Sequence, residues 1–252
     1  MPDRQAARDI RRLARCPHLR MTVPTRACRD ALVKTVAPEA SVSVLPPAAR
    51  PIDQHSGRRQ RTRGLLGLGN RQRLIVAPGE VMRDGAHKMA VWVFAILREL
   101  RDDLRLLLPE TGPALPNVRS FAEATGHESE TYMAEGRAEL ADCLAAADVA
   151  VLFPRQGADA YALTAAMAAG LPIAASGTAD VSEIAPHGEA ALLAPPGDPR
   201  SASAAVLKLL EDADLSARLS MEARRIAGQF HPRQVRGQLE GIYAALRATA
   251  GA

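Results

Sequence analysis

Aromatic residues are scarce in this chain of 252 residues: Phe, Tyr and Trp together make up 3%, and there is one Trp. A surface that reads nucleic acid needs aromatics or a recognised module beside its basic residues. Neither accompanies Arg8, Arg11, Arg12 and Arg15 or the cluster Arg58, Arg59, Arg61 and Arg63, so these arginines read as a solvated linker or interface, and no nucleic-acid partner is expected. Cysteine is nearly absent too. Cys16, Cys28 and Cys143 are odd in number, widely separated and without C-x-x-C spacing, which gives neither a disulfide framework nor a metal site. Reduced thiols of this kind point to the cytoplasm. No apolar run approaches the ~20 residues that cross a bilayer. The Arg-rich start lacks the apolar core of a secretory signal. Contact with a membrane is therefore at most peripheral, through the basic segments, at the inner membrane surface. The net charge of +4 is modest.

What the chain does have is apolar material, 47% of it, carried mostly by Ala and Leu. The stretch 147–176 organises the rest. Val149 to Phe153 is a continuous apolar run of strand length, as a parallel sheet covered on both faces requires. Asp159 stands where an N-cap is needed, and Gly170 followed by Pro172 stops the helix. This is one βαβ unit. Its helix N-terminus would present free N–H groups at the strand's C-terminal end. The residues alone leave two readings open, an anion or phosphate site and a purely structural crossover.

The same rhythm extends along the chain. Strand-like runs fall at Leu74–Ala77, Leu104–Leu108, Thr131–Ala134, Val149–Phe153, Ile173–Ser176 and Ala191–Ala194. Helical spacing is clearest at Lys88–Leu100, where Met89, Trp92, Val93, Ile96 and Leu97 place Trp92 in the core, and recurs at Arg137–Ala146. Asp198-Pro199 opens an all-helical tail. Alternating strands and helices predict an α/β fold, a Rossmann-like doubly wound parallel sheet over 73–230, with a crossing helix over 231–252. Before it, 46–72 reads as a linker with one short helical turn. A smaller βαβ unit runs from about Met21 to Leu45, with Thr25 capping a helix that ends near Val36.

The order of short motifs resembles the C-terminal, donor-binding half of the group 1 (family 4) retaining glycosyltransferases of GT-B type. The matching pieces are A-A-D-V-A-V-L-F-P (146–154), A-M-A-A-G-L-P-I-A-A-S (166–176), S-E-I-A-P-H-G-E-A-A-L-L-A-P-P-G-D-P (182–199) and V-L-P-P-A-A-R (44–50). The resemblance implies transfer of a sugar from a nucleotide-diphosphate sugar to an acceptor hydroxyl on a glycan or lipid carrier, with retention and without a cofactor or metal. It also implies that 1–45 is the remnant of an N-terminal Rossmann-like domain. The acceptor half is then missing, because the chain is truncated or because a partner chain supplies it.

Several positions depart from the family's pattern. Gly157 and Ala165 stand where its two glutamates belong, and Glu80 and Gly85 replace the Arg and Lys of its diphosphate clamp. Arg83 and Lys88 lie three residues beyond each and are the candidate cations; the alternative is an exposed loop arginine and a helix lysine. Glu183 matches the glutamate of the G-G-x-x-E loop, or else is a first-turn helix carboxylate. The candidate donor and diphosphate site is thus Arg83, Lys88, Gly157, the amides of Ala160, Tyr161, Ala162 and Leu163, and Glu183. His87 and His187 sit in candidate site loops and read as surface residues. The catalytic residue is not assigned. These departures motivate a second reading, an inactive GT-B-like module that binds or docks a partner. A nucleotide-sugar epimerase is a minor third.

Overall fold

The computed structural model describes residues 4–13, 16, 19–35, 38, 41–52, 57–134 and 138–250. Arg15, Val36 and Arg137, used above, lie outside them. The chain opens with helix α1 (Arg4–Leu13). It continues through strand β1 (Met21–Val23), α2 (Arg26–Thr35) and β2 (Val42–Val44), and β1 and β2 pair in parallel. Thr25 caps α2 as expected, its hydroxyl accepting from the Cys28 amide at 3.0 Å. Among the described residues, buried Val42 and the half-buried Ile10, Met21, Val23, Leu32 and Val33 make up the core of this unit.

A helix, α3 (Arg58–Leu65), stands where one turn was expected. Its arginines hold it in place. Arg59 donates to the carbonyls of Ala145, Ala146 and Ala147, and Arg59 and Arg63 flank the Asp148 carboxylate at 2.7 and 3.2 Å. Arg59 and Arg63 thereby satisfy the C-terminus of a helix and a half-buried acid.

The main body runs β3 (Arg73–Val76), α4 (Ala86–Arg98), β4 (Leu104–Leu108), α5 (Leu115–Ala124) and β5 (Thr131–Met133). Then come α6 (Leu140–Ala146), β6 (Val149–Leu152), α7 (Ala160–Ala169), β7 (Ile173–Ser176), α8 (Ala179–Ile184) and β8 (Leu192–Ala194). Helices α9 (Pro199–Glu211), α10 (Ala213–Ala227) and α11 (Pro232–Ala250) close the chain. The sheet order is β5-β4-β3-β6-β7-β8, every pair parallel, with Ile75 facing Leu106 on one side and Val149 on the other. This is the doubly wound Rossmann-like order.

Successive side chains of a strand point to opposite faces, and the core divides accordingly. Leu74, Val76, Ala150, Leu152, Ile173 and Ala175 pack with α6, α7, α8 and α10. Ile75, Leu106, Leu108, Val149, Val151 and Phe153 pack with α4, α5 and α9. Helix α7 is apolar all round because it is covered all round; only Tyr161 of its ten residues is exposed. Trp92 is not core: half of it is exposed, on the outer side of α4, at the edge of a groove of about 730 Å³ that Lys88, Phe121 and Arg155 also line.

Candidate functional site

The winding of the sheet reverses between β3 and β6. The chain leaves β3 towards β4 and leaves β6 towards β7, so the two loops diverge and open a crevice beyond the strand ends. The crevice encloses about 270 Å³ between Pro78, Glu80, Asp84 and His87 on one side and Phe153, Gln156, Gly157 and Asp159 on the other. Gly79 is forced by this approach. Its φ is +109°, and a Cβ there would stand 2.6 Å from an Asp159 carboxylate oxygen. The loop after β3 is also tied to the loop after β4. The Gly79 amide donates to Glu110, and the Val81 backbone pairs with Thr111 and Ala114 at 3.0 and 2.9 Å.

Helix α7 begins at the crevice mouth. Asp159 is its N-cap, accepting from the Ala162 amide at 3.0 Å, while the Leu163 amide makes its helix bond to the Asp159 carbonyl at 3.0 Å. The four free donors expected from sequence are therefore two. Among the described residues, the amides of Ala160 and Tyr161 have no partner. Gly157 lies in the loop at φ +67°, with its carbonyl accepting from the Thr178 hydroxyl at 2.6 Å.

The two candidate cations are brought together, but beside the crevice. Arg83 and Lys88 are exposed and line an adjacent groove of about 520 Å³ with Asn117, Ser120 and Phe121; Lys88 Nζ lies 4.6 Å from the Phe121 ring centre. Met82 lines both voids. Glu183 points elsewhere. Its carboxylate accepts from the amides of Arg26 and Ala27, both at 2.9 Å, and so caps α2 across the interface between the N-terminal unit and α8. Asp180 accepts from the Thr25 hydroxyl beside it.

The polar lining of the crevice is acidic, with Glu80, Asp84 and Asp159 and no Lys or Arg among the lining residues. Burial pushes the Glu110 carboxyl above its ordinary range, and the Asp159 and Glu80 charges add to this against the opposing Gly79 N–H. The one basic side chain is His87, and its reading as a surface residue is corrected here. It is 6% exposed, packed into α4 on the face of Val91 and Phe94. That position was readable, since i, i+4 and i+7 share a helix face. Burial holds its imidazole below the ordinary value, with Asp84, Asp159 and the carbonyls of Ala77 and Gly79 opposing. Both ring nitrogens are closed off from solvent, and neither makes a hydrogen bond of good geometry to those carbonyls. His187 is at the surface as expected, its Nδ1 accepting from the Leu193 amide at 2.8 Å.

The described residues contain no cluster of acids, histidines and cysteines placed to hold a metal ion, and no helix long and apolar enough to cross a membrane.

A family model described as "Glycosyl transferases group 1" matches residues 72–212. The N-acetyl-alpha-D-glucosaminyl L-malate synthase of Bacillus anthracis is 25% identical over 142 residues, 56% of this chain and 37% of that protein. The chain thus spans little more than a third of this curated relative. Among solved structures, Anabaena HepE in complex with UDP-glucose superposes with a TM-score of 0.86 at 16% identity, over 97% of this chain and 68% of that one. The sucrose-phosphate synthase of Thermosynechococcus elongatus gives 0.76 at 18% identity, over 90% and 58%. At these identities the superpositions establish the GT-B type fold.

Proposed function

Because the chain belongs to the group 1 glycosyltransferases, we propose that it binds a nucleotide-diphosphate sugar and serves its transfer, with retention, to a hydroxyl of a glycan or lipid carrier. The observation that carries this reading is the crevice at the β3/β6 reversal, with the N-terminus of α7 at its mouth. A leaving diphosphate builds negative charge, which helix-end amides and nearby cations stabilise. The amides of Ala160 and Tyr161 are unpaired there, and Arg83 and Lys88 stand in the adjoining groove. Gly157 leaves the loop open for the donor's approach.

A second reading is favoured by the side chains. Gly157 and Ala165 replace the glutamates of the family pattern, Glu183 is occupied with α2, and the crevice is lined with acids. These support a chain that keeps the fold as a catalytically inactive module that binds a ligand or docks a partner.

The two separate by experiment. Calorimetry with UDP, GDP, ADP and their sugars is expected to give micromolar to millimolar binding for one member. Arg83→Ala and Lys88→Ala are each expected to weaken it about tenfold, the worth of one charge-assisted hydrogen bond. Binding together with sugar transfer supports the first reading, and binding without turnover supports the second. No binding by any member of the panel overturns the first reading and the ligand-binding form of the second.

A further inference from the structure

We infer that the groove on the outer side of α4 is a saccharide-binding site, with Trp92 as the platform on which a sugar ring stacks. This deepens the function proposed above by taking the glycan as the acceptor class, and the site lies outside the donor crevice. The chain has one tryptophan, and it is half exposed while Val91, Val93 and Phe94 beside it are buried. Apolar surface left in water and rimmed by polar groups marks a binding site. Lys88, Trp92, Ala95 and Glu99 follow one another at three or four positions, so they form a single stripe along the helix. Helix α5 adds Phe121 and its closing residue Thr125, and the loops after β6 and β8 add Arg155 and Gly197.

The lining selects the occupant. A pyranose ring turns C–H groups towards an aromatic plane and carries hydroxyls around its edge, so it needs aromatic surface with polar groups on more than one side. Trp92 and Phe121 supply the surface. Lys88 and Arg155 offer donors near the strand ends, and Glu99 offers acceptors at the far end of α4. The Thr125 hydroxyl donates to the Ala122 carbonyl at 3.0 Å and keeps its own lone pairs for a ligand. Among the described residues, the side chains of Arg155 and Glu99 close no hydrogen bond or ion pair. An amphiphile with an anionic head would match the two cations, but its tail would then lie against Glu99 and Thr125. A saccharide uses both ends. The size agrees, since about 730 Å³ falls within the ~300–1,000 Å³ of pockets that enclose drug-sized ligands. Lys88 and Glu99 stand about 16 Å apart along the axis at 1.5 Å per residue, which suits a short chain of rings better than one. The groove shares Phe153 with the donor crevice, so a chain held here ends close to where the donor is proposed to bind.

With one tryptophan in the chain, the fluorescence of the parent reports the groove alone when excited where tyrosine does not absorb. The full chain is titrated with maltotriose, cellotriose, chitotriose and decyl phosphate, and calorimetry follows the variants, with melting temperatures and UDP binding alongside. At least one trisaccharide is expected to shift the Trp92 emission and to saturate. Trp92→Ala should weaken that trisaccharide about tenfold, the factor for ~60 Å² of apolar contact. Trp92→Phe should recover part of the loss, and both variants should melt and bind UDP as the parent does. Silence from all three trisaccharides overturns the inference, as does equal affinity of Trp92→Ala and parent. A response to decyl phosphate alone overturns it in favour of a lipid carrier. A dimer in sedimentation that Trp92→Ala dissolves overturns it in favour of a second copy of the chain. A lower melting temperature with equal losses on UDP and trisaccharide makes Trp92 structural and overturns it as well. Nucleotide binding without saccharide binding removes the groove and keeps the donor reading; saccharide binding without nucleotide binding does the reverse.

Discussion

Acid bears on His87 before it bears on any paired carboxylate. Burial depresses the folded imidazole below its ordinary 6.5, so the unfolded chain takes up the proton first as pH falls. The contribution of His87 to stability is therefore complete above 6.5 and is lost as pH drops from there towards the folded value. Glu110 works in the opposite sense, because its folded carboxyl is raised and holds a proton that the unfolded chain releases. The difference between parent and His87→Phe cancels Glu110 and isolates the imidazole. Urea unfolding of the parent should lose more stability between pH 7.5 and pH 5.5 than unfolding of His87→Phe. Equal losses would mean that His87 keeps its ordinary titration in the fold.

At the scale of elements, α7 shows how local signals and packing agree. Asp159 caps it, and Gly170 ends it at φ +66°, with the Arg224 guanidinium lying over Gly170 and donating to the Ala169 carbonyl at 2.9 Å. Gly170→Ala meets both constraints at once. The left-handed backbone costs an L-residue about 1–2 kcal/mol, and the new methyl group must displace Arg224 as well. Denaturant unfolding should register a loss of at least that size. Such stop signals and the apolar runs beside them are why the alternating strands and helices from Arg73 onward were legible in the sequence. Other elements were not. The reading passed over α5, in which only Leu115, Val118 and Ala122 are buried and Pro116 sits in the first turn, where its missing N–H is harmless. Helix α3 buries only Thr62 and exists because Arg59 and Arg63 reach carbonyls and an acid more than 80 positions away. No local pattern encodes that. Trp92 was misplaced because the apolar stripe of α4 is wider than its buried face. At the site, the cap and the helix mouth were readable from spacing, whereas the commitment of Glu183 to α2 depends on a contact 157 residues away.

That contact governs the molecule as a whole. The pair β1–β2 has too few strands and too little core to stand alone, so its order depends on what it leans against. It leans on α8, through Glu183 on the first amides of α2, Asp180 on Thr25, and the packing of α2 against α8. Helix α8 is in turn joined to the crevice, since Thr178 caps it through the Val181 amide and also donates to the Gly157 carbonyl. One run of hydrogen bonds thus links the N-terminal unit to the rim where the donor is proposed to bind. Glu183→Ala leaves two amides of α2 without their acceptor and removes a carboxylate from the positive end of the helix, a loss of about 1–2 kcal/mol. The six-stranded body keeps its own contacts, so the loss should fall on the N-terminal unit. Hydrogen exchange is expected to show faster exchange in α2 and β1, several-fold over the parent, with β3, β6 and β7 unchanged. Faster exchange spread evenly across both sheets would show instead that the N-terminal unit and the main body unfold together, and unchanged exchange in α2 would show that Glu183 does not hold it.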